Sequence, residues 1–443
     1  MDALSGMDRP LTHRAVLAVS LPIILANITT PLVGAVDTAV VGQLGEAAKL
    51  GGVAVGAQLF QLLFWSFGFL RLSTSGLTAQ AKGAGDAVAI AATLERAVVV
   101  ALVLGFAVIA LQVPLGTAGI WLMGGSAGVQ QAARAYFNWR IWAAPFVFLN
   151  YALVGWFVGL AHSGRVLLLV LLINLANIGA SVLLVLGLHW DVAGAGAAAL
   201  VSEALACSVG LVLAFREIAA SGGRTAVALV LAAEPLRKLL SVNTDIMIRT
   251  VCLLLAFSTL TALGARNGDA AVAANGILLD LFGVASYFLD GFANAAETFV
   301  GQSIGARRRD RLTESIRLTS FWAGVLSFAA AFTLWRFGGQ AIDLMTTSPE
   351  VRAAARVFLP WCALTPIAGV AAFELDGIFI GATRGADMRN MMMVSLAAFL
   401  VATAALVPAY GNHGLWLALM LFFVVRGLTL GSRLPALVRE AFG

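Results

Sequence analysis

The chain has 443 residues, of which 60% are hydrophobic and only 12% charged, and its mean hydropathy is +0.93. Soluble domains hold about 25% charged residues, so the deficit points to a polytopic membrane protein. The formal net charge of +5 is no nucleic-acid footprint, because Lys and Arg lie mostly in short loops between apolar runs, where they set orientation.

The expected fold class is all-α. An open sheet would leave edge amides unsatisfied in lipid. A β-barrel would need short alternating strands, whereas the apolar runs here are continuous. About 20 apolar residues cross the hydrocarbon core. On that ruler the sequence predicts twelve spans, six in each half. The first six are 15–41, 53–80, 97–113, 135–160, 166–188 and 193–215. The second six are 239–263, 270–302, 318–334, 358–380, 391–408 and 415–438.

Arg9, His13 and Arg14 precede the first apolar run, as in a signal peptide. The run continues well past the usual length with no small-residue cleavage site, so it reads as an uncleaved first span. Within it, the stretch from Leu21 to Gly45 carries a single carboxylate, Asp37. A charged Asp at the centre of a membrane helix costs about 2.5–3.5 kcal/mol and marks a functional site by default. Two readings are open: a helix-end residue facing headgroups, or a proton or cation site. Pro22 and Pro31 favour the second, since each removes a backbone hydrogen bond and can act as a hinge.

Span two holds Arg71, which either snorkels to the cytoplasmic face or pairs with an acid. Span four holds Asn150. In span five, Asn174, Asn177 and Ser181 fall on one helix face by their spacings of three and four. Such a stripe faces protein or water rather than lipid, as interhelical glue or as part of a polar site. Residues 221–238 form the cytoplasmic linker between an N-lobe, 1–220, and a C-lobe, 239–443.

The C-lobe acids Asp245, Asp280, Asp290, Glu297 and Asp376 are candidates for a cation or substrate site. Asp245 and Arg249 are four apart and can instead pair on one helix face. Glu374 and Asp376 are two apart and point to different sides. Cys207, Cys252 and Cys362 all lie in spans and read as small buried hydrophobes.

The halves echo each other. Gln80 matches Gln302, and Gly155 and Gly159 match Gly377 and Gly381, all at an offset of 222, while Pro145 and Pro366 differ by 221. Such agreement argues for a duplicated six-helix unit, a parallel repeat about an axis along the membrane normal. Basic residues gather in alternate loops, as at Lys82 and Arg96 or Arg307, Arg308, Arg309 and Arg311. The positive-inside rule then places both termini in the cytoplasm. No P-loop, HExxH motif or catalytic triad is present, so neither a nucleotide-driven pump nor an enzyme is expected.

Four stretches resemble the multidrug and toxic compound extrusion (MATE) transporters, in their bacterial DinF (DNA-damage-inducible protein F) branch. They are Val36-Asp-Thr-Ala-Val-Val-Gly-Gln-Leu-Gly45, Phe69-Leu-Arg-Leu-Ser-Thr-Ser-Gly-Leu-Thr-Ala-Gln80, Val242-Asn-Thr-Asp-Ile-Met-Ile-Arg249 and Leu375-Asp-Gly-Ile-Phe-Ile-Gly-Ala-Thr-Arg384 with Met388-Arg-Asn390. The resemblance implies twelve helices in two lobes forming a V, and export of organic compounds in exchange for protons or sodium. It makes Asp37 the coupling acid and Pro22 the bend of the first helix. It assigns Asn150 and Asn177 to the polar N-lobe site and a possible cation role to Asp245 and Asp376. Members often carry a second acid in span five, where this chain has Ser181.

The expected function is therefore proton-coupled efflux by alternating access. Sodium-coupled efflux by the same fold and a lipid-linked precursor flippase of the wider superfamily are the alternatives. No cofactor or metal is expected beyond H+, or Na+, as coupling ion. The expected partners are small amphipathic organic substrates and the bilayer of the inner membrane, not nucleic acid, with the protein a monomer.

Overall fold

Backbone amides in lipid find no water, so each segment must satisfy its own hydrogen bonds as a helix. The computed structural model describes residues 10–223, 230, 232–266 and 268–443, and every long element among them is helical. Arg9, Arg224 and part of the expected linker lie outside the described residues.

In the first half the elements are α1 (His13–Gly42), α2 (Ala47–Trp65), α3 (Phe69–Gly83), α4 (Ala87–Ala110), α5 (Gln112–Met123), α6 (Ala127–Arg140), α7 (Ala144–Gly159), α8 (Ser163–Ser181) and α9 (Asp191–Ser221). A π-helical turn, Val182–Gly187, follows α8 directly. The second half holds α10 (Ala233–Ala265), α11 (Asp269–Gly305), α12 (Arg309–Met345), α13 (Pro349–Gly381), α14 (Gly385–Gly431) and α15 (Leu434–Phe442).

Starts and stops follow local chemistry. The Asp86 carboxylate accepts from the Ala89 N–H at 2.8 Å and caps α4. Ser348 caps α13 through the Val351 N–H, with Pro349 at the first helical position, where its missing N–H costs nothing. Gly222, at φ +72°, ends α9 in the left-handed region.

Eleven helices among the described residues are long and apolar enough to cross a bilayer. The last of them joins two expected spans. At 47 residues, α14 would reach about 70 Å at 1.5 Å per residue, more than twice the hydrocarbon core. It breaks at Gly411, whose φ of 54° and ψ of −130° are not helical. Two crossings therefore share one element, in keeping with twelve spans.

The break is held by a polar knot. Asn275 on α11 and Asn412 exchange side-chain hydrogen bonds of 2.7 and 2.9 Å, and the Trp416 indole donates to the Asn275 oxygen at 2.9 Å. All three side chains are buried. Asn412→Ala is expected to cost about 1–3 kcal/mol, because it strands the buried Asn275 amide. Adding Asn275→Ala should cost less than the sum of the single changes, which a double-mutant cycle of unfolding in detergent will read.

Two compact units emerge. One holds Leu240–Gly443 with Gly83–Gly85 and the described start of α1 up to Ile24; the other holds Leu25–Lys82 and Asp86–Leu239. The start of α1 thus packs with the second half, although in sequence it belongs to the first. The Leu11 N–H donates to Glu314 at 2.8 Å, and the Trp322 indole donates to His13 at 3.0 Å.

The duplicated glycines make duplicated contacts. A Cβ on Gly155 would lie 2.2 Å from the Arg71 carbonyl oxygen of α3, and one on Gly377 would lie 2.1 Å from the Ala293 carbonyl oxygen of α11. One turn on, Gly159 meets the Ser75 carbonyl at 2.5 Å and Gly381 meets the Glu297 carbonyl at 2.3 Å. In each unit, small residues let two helix backbones touch. The three cysteines are buried and unpaired with one another.

Candidate functional site

An intramembrane carboxylate needs hydrogen-bond donors or a counter-charge. Asp37, half-buried near the end of α1, has both. Its Oδ1 accepts from the Ser181 hydroxyl at 2.7 Å. The Asn177 amide nitrogen, turned toward it, stands 3.1 and 3.2 Å from the two carboxylate oxygens. Ser181 and Asn177 are buried on α8, one turn apart, directly before the π-helical turn. Turns of that kind recur at functional sites.

Asn174 lies on the same face of α8 but takes a different partner. It does not reach Asp37 but donates to the Thr29 hydroxyl at 2.7 Å, and Thr29 in turn donates to the Ala26 carbonyl at 2.7 Å. The reason is register. Thr29 pairs with Asn174 and Asp37 with Ser181, so α1 and α8 run parallel, tied at two depths about 12 Å apart. Pro31 lies in α1 between the two ties, and Pro22 lies before both. The helix is continuous through both prolines.

A second acid was missed by sequence reasoning. Glu203 on α9 accepts from the Asn150 amide at 2.7 Å, while the same amide donates to the Glu203 carbonyl at 3.0 Å. Asn150 therefore serves Glu203. Its own side-chain oxygen is buried and finds no partner among the described residues. Glu203 stands alone in the apolar run from Ala197 to Cys207, so the rule that singled out Asp37 applied to it equally.

Arg140, also missed, connects the two acids. Its guanidinium interacts electrostatically with Tyr136, Glu203 and Asp37. It donates to the Tyr136 hydroxyl and sits 5.5 Å from the Phe60 ring centroid. The first half thus holds Asp37 and Glu203 with one guanidinium acting on both, each acid carrying its own neutral donors. Arg71 is half-buried and acts electrostatically on Tyr151.

In the other unit the acids are dispersed. The expected Asp245–Arg249 pair does not form. Asp245 pairs with Arg389 on α14 at 2.6 Å, and Arg249 reaches Asp376 on α13. Arg426 on α14 reaches the same Asp376 oxygen. Each of the two residues finds its partner on another helix instead. Asp376, a candidate cation or substrate residue, therefore carries two guanidinium groups. Glu374, two residues away, turns to Thr319 on α12 instead.

Asp280 is exposed on α11, and no hydrogen bond or ion pair of the described residues reaches it. Asp290 is half-buried and acts on Arg426. Glu297 is buried at the close contact of α11 with Gly381. Asp290 and Asp376 thus both act on Arg426, and no group of three or more metal-ligating side chains occurs among the described residues.

Comparison with known proteins completes the picture. The MatE family model matches twice, over residues 22–183 and 246–408. DNA damage-inducible protein F of Escherichia coli (strain K12) is 38% identical over 432 residues, spanning 98% of this chain and 93% of that protein. A probable multidrug resistance protein NorM of Caulobacter vibrioides is 24% identical, spanning 95% of this chain and 87% of its own length. Among solved structures, an outward-facing multidrug resistance MATE family transporter of the MOP superfamily superposes with a TM-score of 0.87 at 19% identity, covering 96% of each chain.

Proposed function

The chain belongs to the MatE family of membrane transporters, and from that premise we propose that it exports amphipathic organic compounds by proton-coupled antiport with alternating access. The observation that carries this reading is Asp37, an intramembrane carboxylate held by Ser181 and Asn177, on which Arg140 acts electrostatically.

Protonation of Asp37 removes the charge to which Ser181 and Asn177 donate. Hydrogen bonds to an ionised acceptor are roughly twice as strong as neutral ones, so the tie between α1 and α8 loosens. The stretch of α1 that is freed contains Pro31, where the backbone ladder already lacks a bond. Pro22 supplies a second weak point, and the helix rebends. Arg140 keeps Glu203 as its remaining acid, so the guanidinium stays compensated while Asp37 is neutral. Substrate must bind the two forms of the helix with different affinity, or no exchange follows. Charge on Asp37 supplies that difference.

The same reading assigns residues 1–220 and 239–443 to two lobes and places both termini in the cytoplasm of a cell with the protein in its inner membrane. The basic alternate loops support it. The protein is taken to work as a monomer.

Purified protein in proteoliposomes is expected to export substrate when a pH gradient alone is imposed, in sodium-free buffer. Dependence on a sodium gradient, with no response to pH, would reassign the coupling ion and remove the proton from the scheme.

A further inference from the structure

The lipid-facing side of α12 can be read from its exposed apolar residues. Phe321, Val325, Phe328, Phe332 and Trp335 are 45–67% exposed. They recur at spacings of three and four, so they form one stripe along the helix. A bare apolar stripe on a membrane helix faces acyl chains. From Phe321 to Phe332 it runs about 16 Å, half of the hydrocarbon core and so one leaflet deep.

Toward the start of the helix the same face turns polar. Arg317 stands one turn before Phe321, with Glu314 and Asp310 beyond it at the same spacings. This end of α12 forms one wall of a cleft of about 670 Å³, and Pro10, Leu11 and His13 form the other. Both walls belong to one compact unit. They are pinned by the Leu11–Glu314 and Trp322–His13 hydrogen bonds, and the Phe321 ring meets His13 edge-on at 5.8 Å. Trp322 marks the level of the membrane interface, where indole rings collect.

Positive charge is in excess at the cleft. Asp310 is occupied by Arg308, at 3.0 and 2.7 Å, and Glu314 by the Leu11 N–H. Arg311 and Arg317 line the same space. Arg317 is exposed, and no acid pairs with it among the described residues. With the exposed Arg14, Arg307 and Arg309 beside the cleft, six arginines stand against two acids among the described residues. Clusters of that size next to a membrane span attract anionic lipid headgroups.

We propose that this cleft binds an anionic phospholipid. Its phosphate lies at Arg317, with Arg311 deeper in the cleft, and one acyl chain follows the stripe from Phe321 to Phe332. A free phosphate would use only the polar part of this surface, and a zwitterionic lipid would bring its own cation against the arginines. The site requires only that α12 spans the membrane, so it stands apart from the ion that drives export.

The test is native mass spectrometry of the full chain released from detergent, titrated with dioleoyl phosphatidylglycerol, with dioleoyl phosphatidylcholine, or with inorganic phosphate. The wild type is expected to retain phosphatidylglycerol about fivefold or more above phosphatidylcholine. Arg317→Gln should remove about fivefold of that preference and leave phosphatidylcholine binding unchanged. Arg317→Lys, which keeps the charge, should retain the preference. Arg336→Gln is the control, because it removes an exposed arginine from the far end of the same helix, and it should change nothing. Equal retention of the two lipids by the wild type would overturn the proposal. So would equal losses in Arg317→Gln and Arg336→Gln, a loss in Arg317→Lys as large as in Arg317→Gln, or displacement of the bound lipid by excess inorganic phosphate.

Discussion

Asp37→Asn is expected to leave the protein in the membrane at normal level and to abolish proton-driven export. The amide is close in shape to the carboxylate, and its oxygen can still accept from Ser181, so the contact of α1 with α8 survives in outline. What it cannot do is exchange a proton. Moving one elementary charge through 100 mV supplies about 2.3 kcal/mol, enough for a roughly fiftyfold concentration ratio of substrate. With no titrating group at this position, that ratio should collapse to equilibration. The measurement is substrate accumulation in inverted vesicles under an imposed pH gradient, with protein amount checked by immunoblot. Export at the wild-type level would remove Asp37 from the coupling step.

Gly377→Ala is expected to fail at an earlier stage, in folding. The new methyl would lie 2.1 Å from the Ala293 carbonyl oxygen, a backbone atom on α11 that no rotamer change can move. Overpacking usually costs about 1–3 kcal/mol and occasionally more, and a backbone clash of this kind belongs at the upper end. Gly155→Ala should behave alike, since its methyl would lie 2.2 Å from the Arg71 carbonyl oxygen in the matching contact of the first half. Gly164 is the control, because nothing lies within 4 Å of a Cβ there. Alanine at that helical position should be neutral or stabilising by about 0.4–1 kcal/mol. Thermal unfolding in detergent distinguishes these outcomes, and a Gly377→Ala protein that melts with the wild type would rule out the close approach.

The architecture was legible because lipid leaves few choices. Apolar length alone predicted the helices, and the break at Gly411 shows where that ruler outperforms a count of continuous elements. The repeat was legible as well. Gly155 with Gly159, and Gly377 with Gly381, share an offset of 222, and both pairs turn out to meet a backbone carbonyl. A glycine motif is visible as letters because its function is the absence of a side chain.

Pairing was less legible. Helical spacing put Asn174, Asn177 and Ser181 on one face but could not say which of them stands level with Asp37. The parallel register of α1 and α8 decides that, sending Asn174 to Thr29 and Ser181 to Asp37. In the same way, the four-residue spacing of Asp245 and Arg249 proposed a local pair. Packing across α10, α13 and α14 gave each a distant partner, Arg389 for one and Asp376 for the other.

The sequence by itself therefore determined that this chain is a duplicated bundle of membrane helices with an acid inside the first of them. Those properties depend on residue type and on distance along the chain, both of which are written in the order of the letters. Only the tertiary structure decided which acids are held by neutral donors, as Asp37 and Glu203 are, and which are covered by arginines, as Asp376 is. Charge compensation in a low-dielectric interior depends on the distance between side chains that lie far apart in sequence, and that distance exists only once the helices have packed.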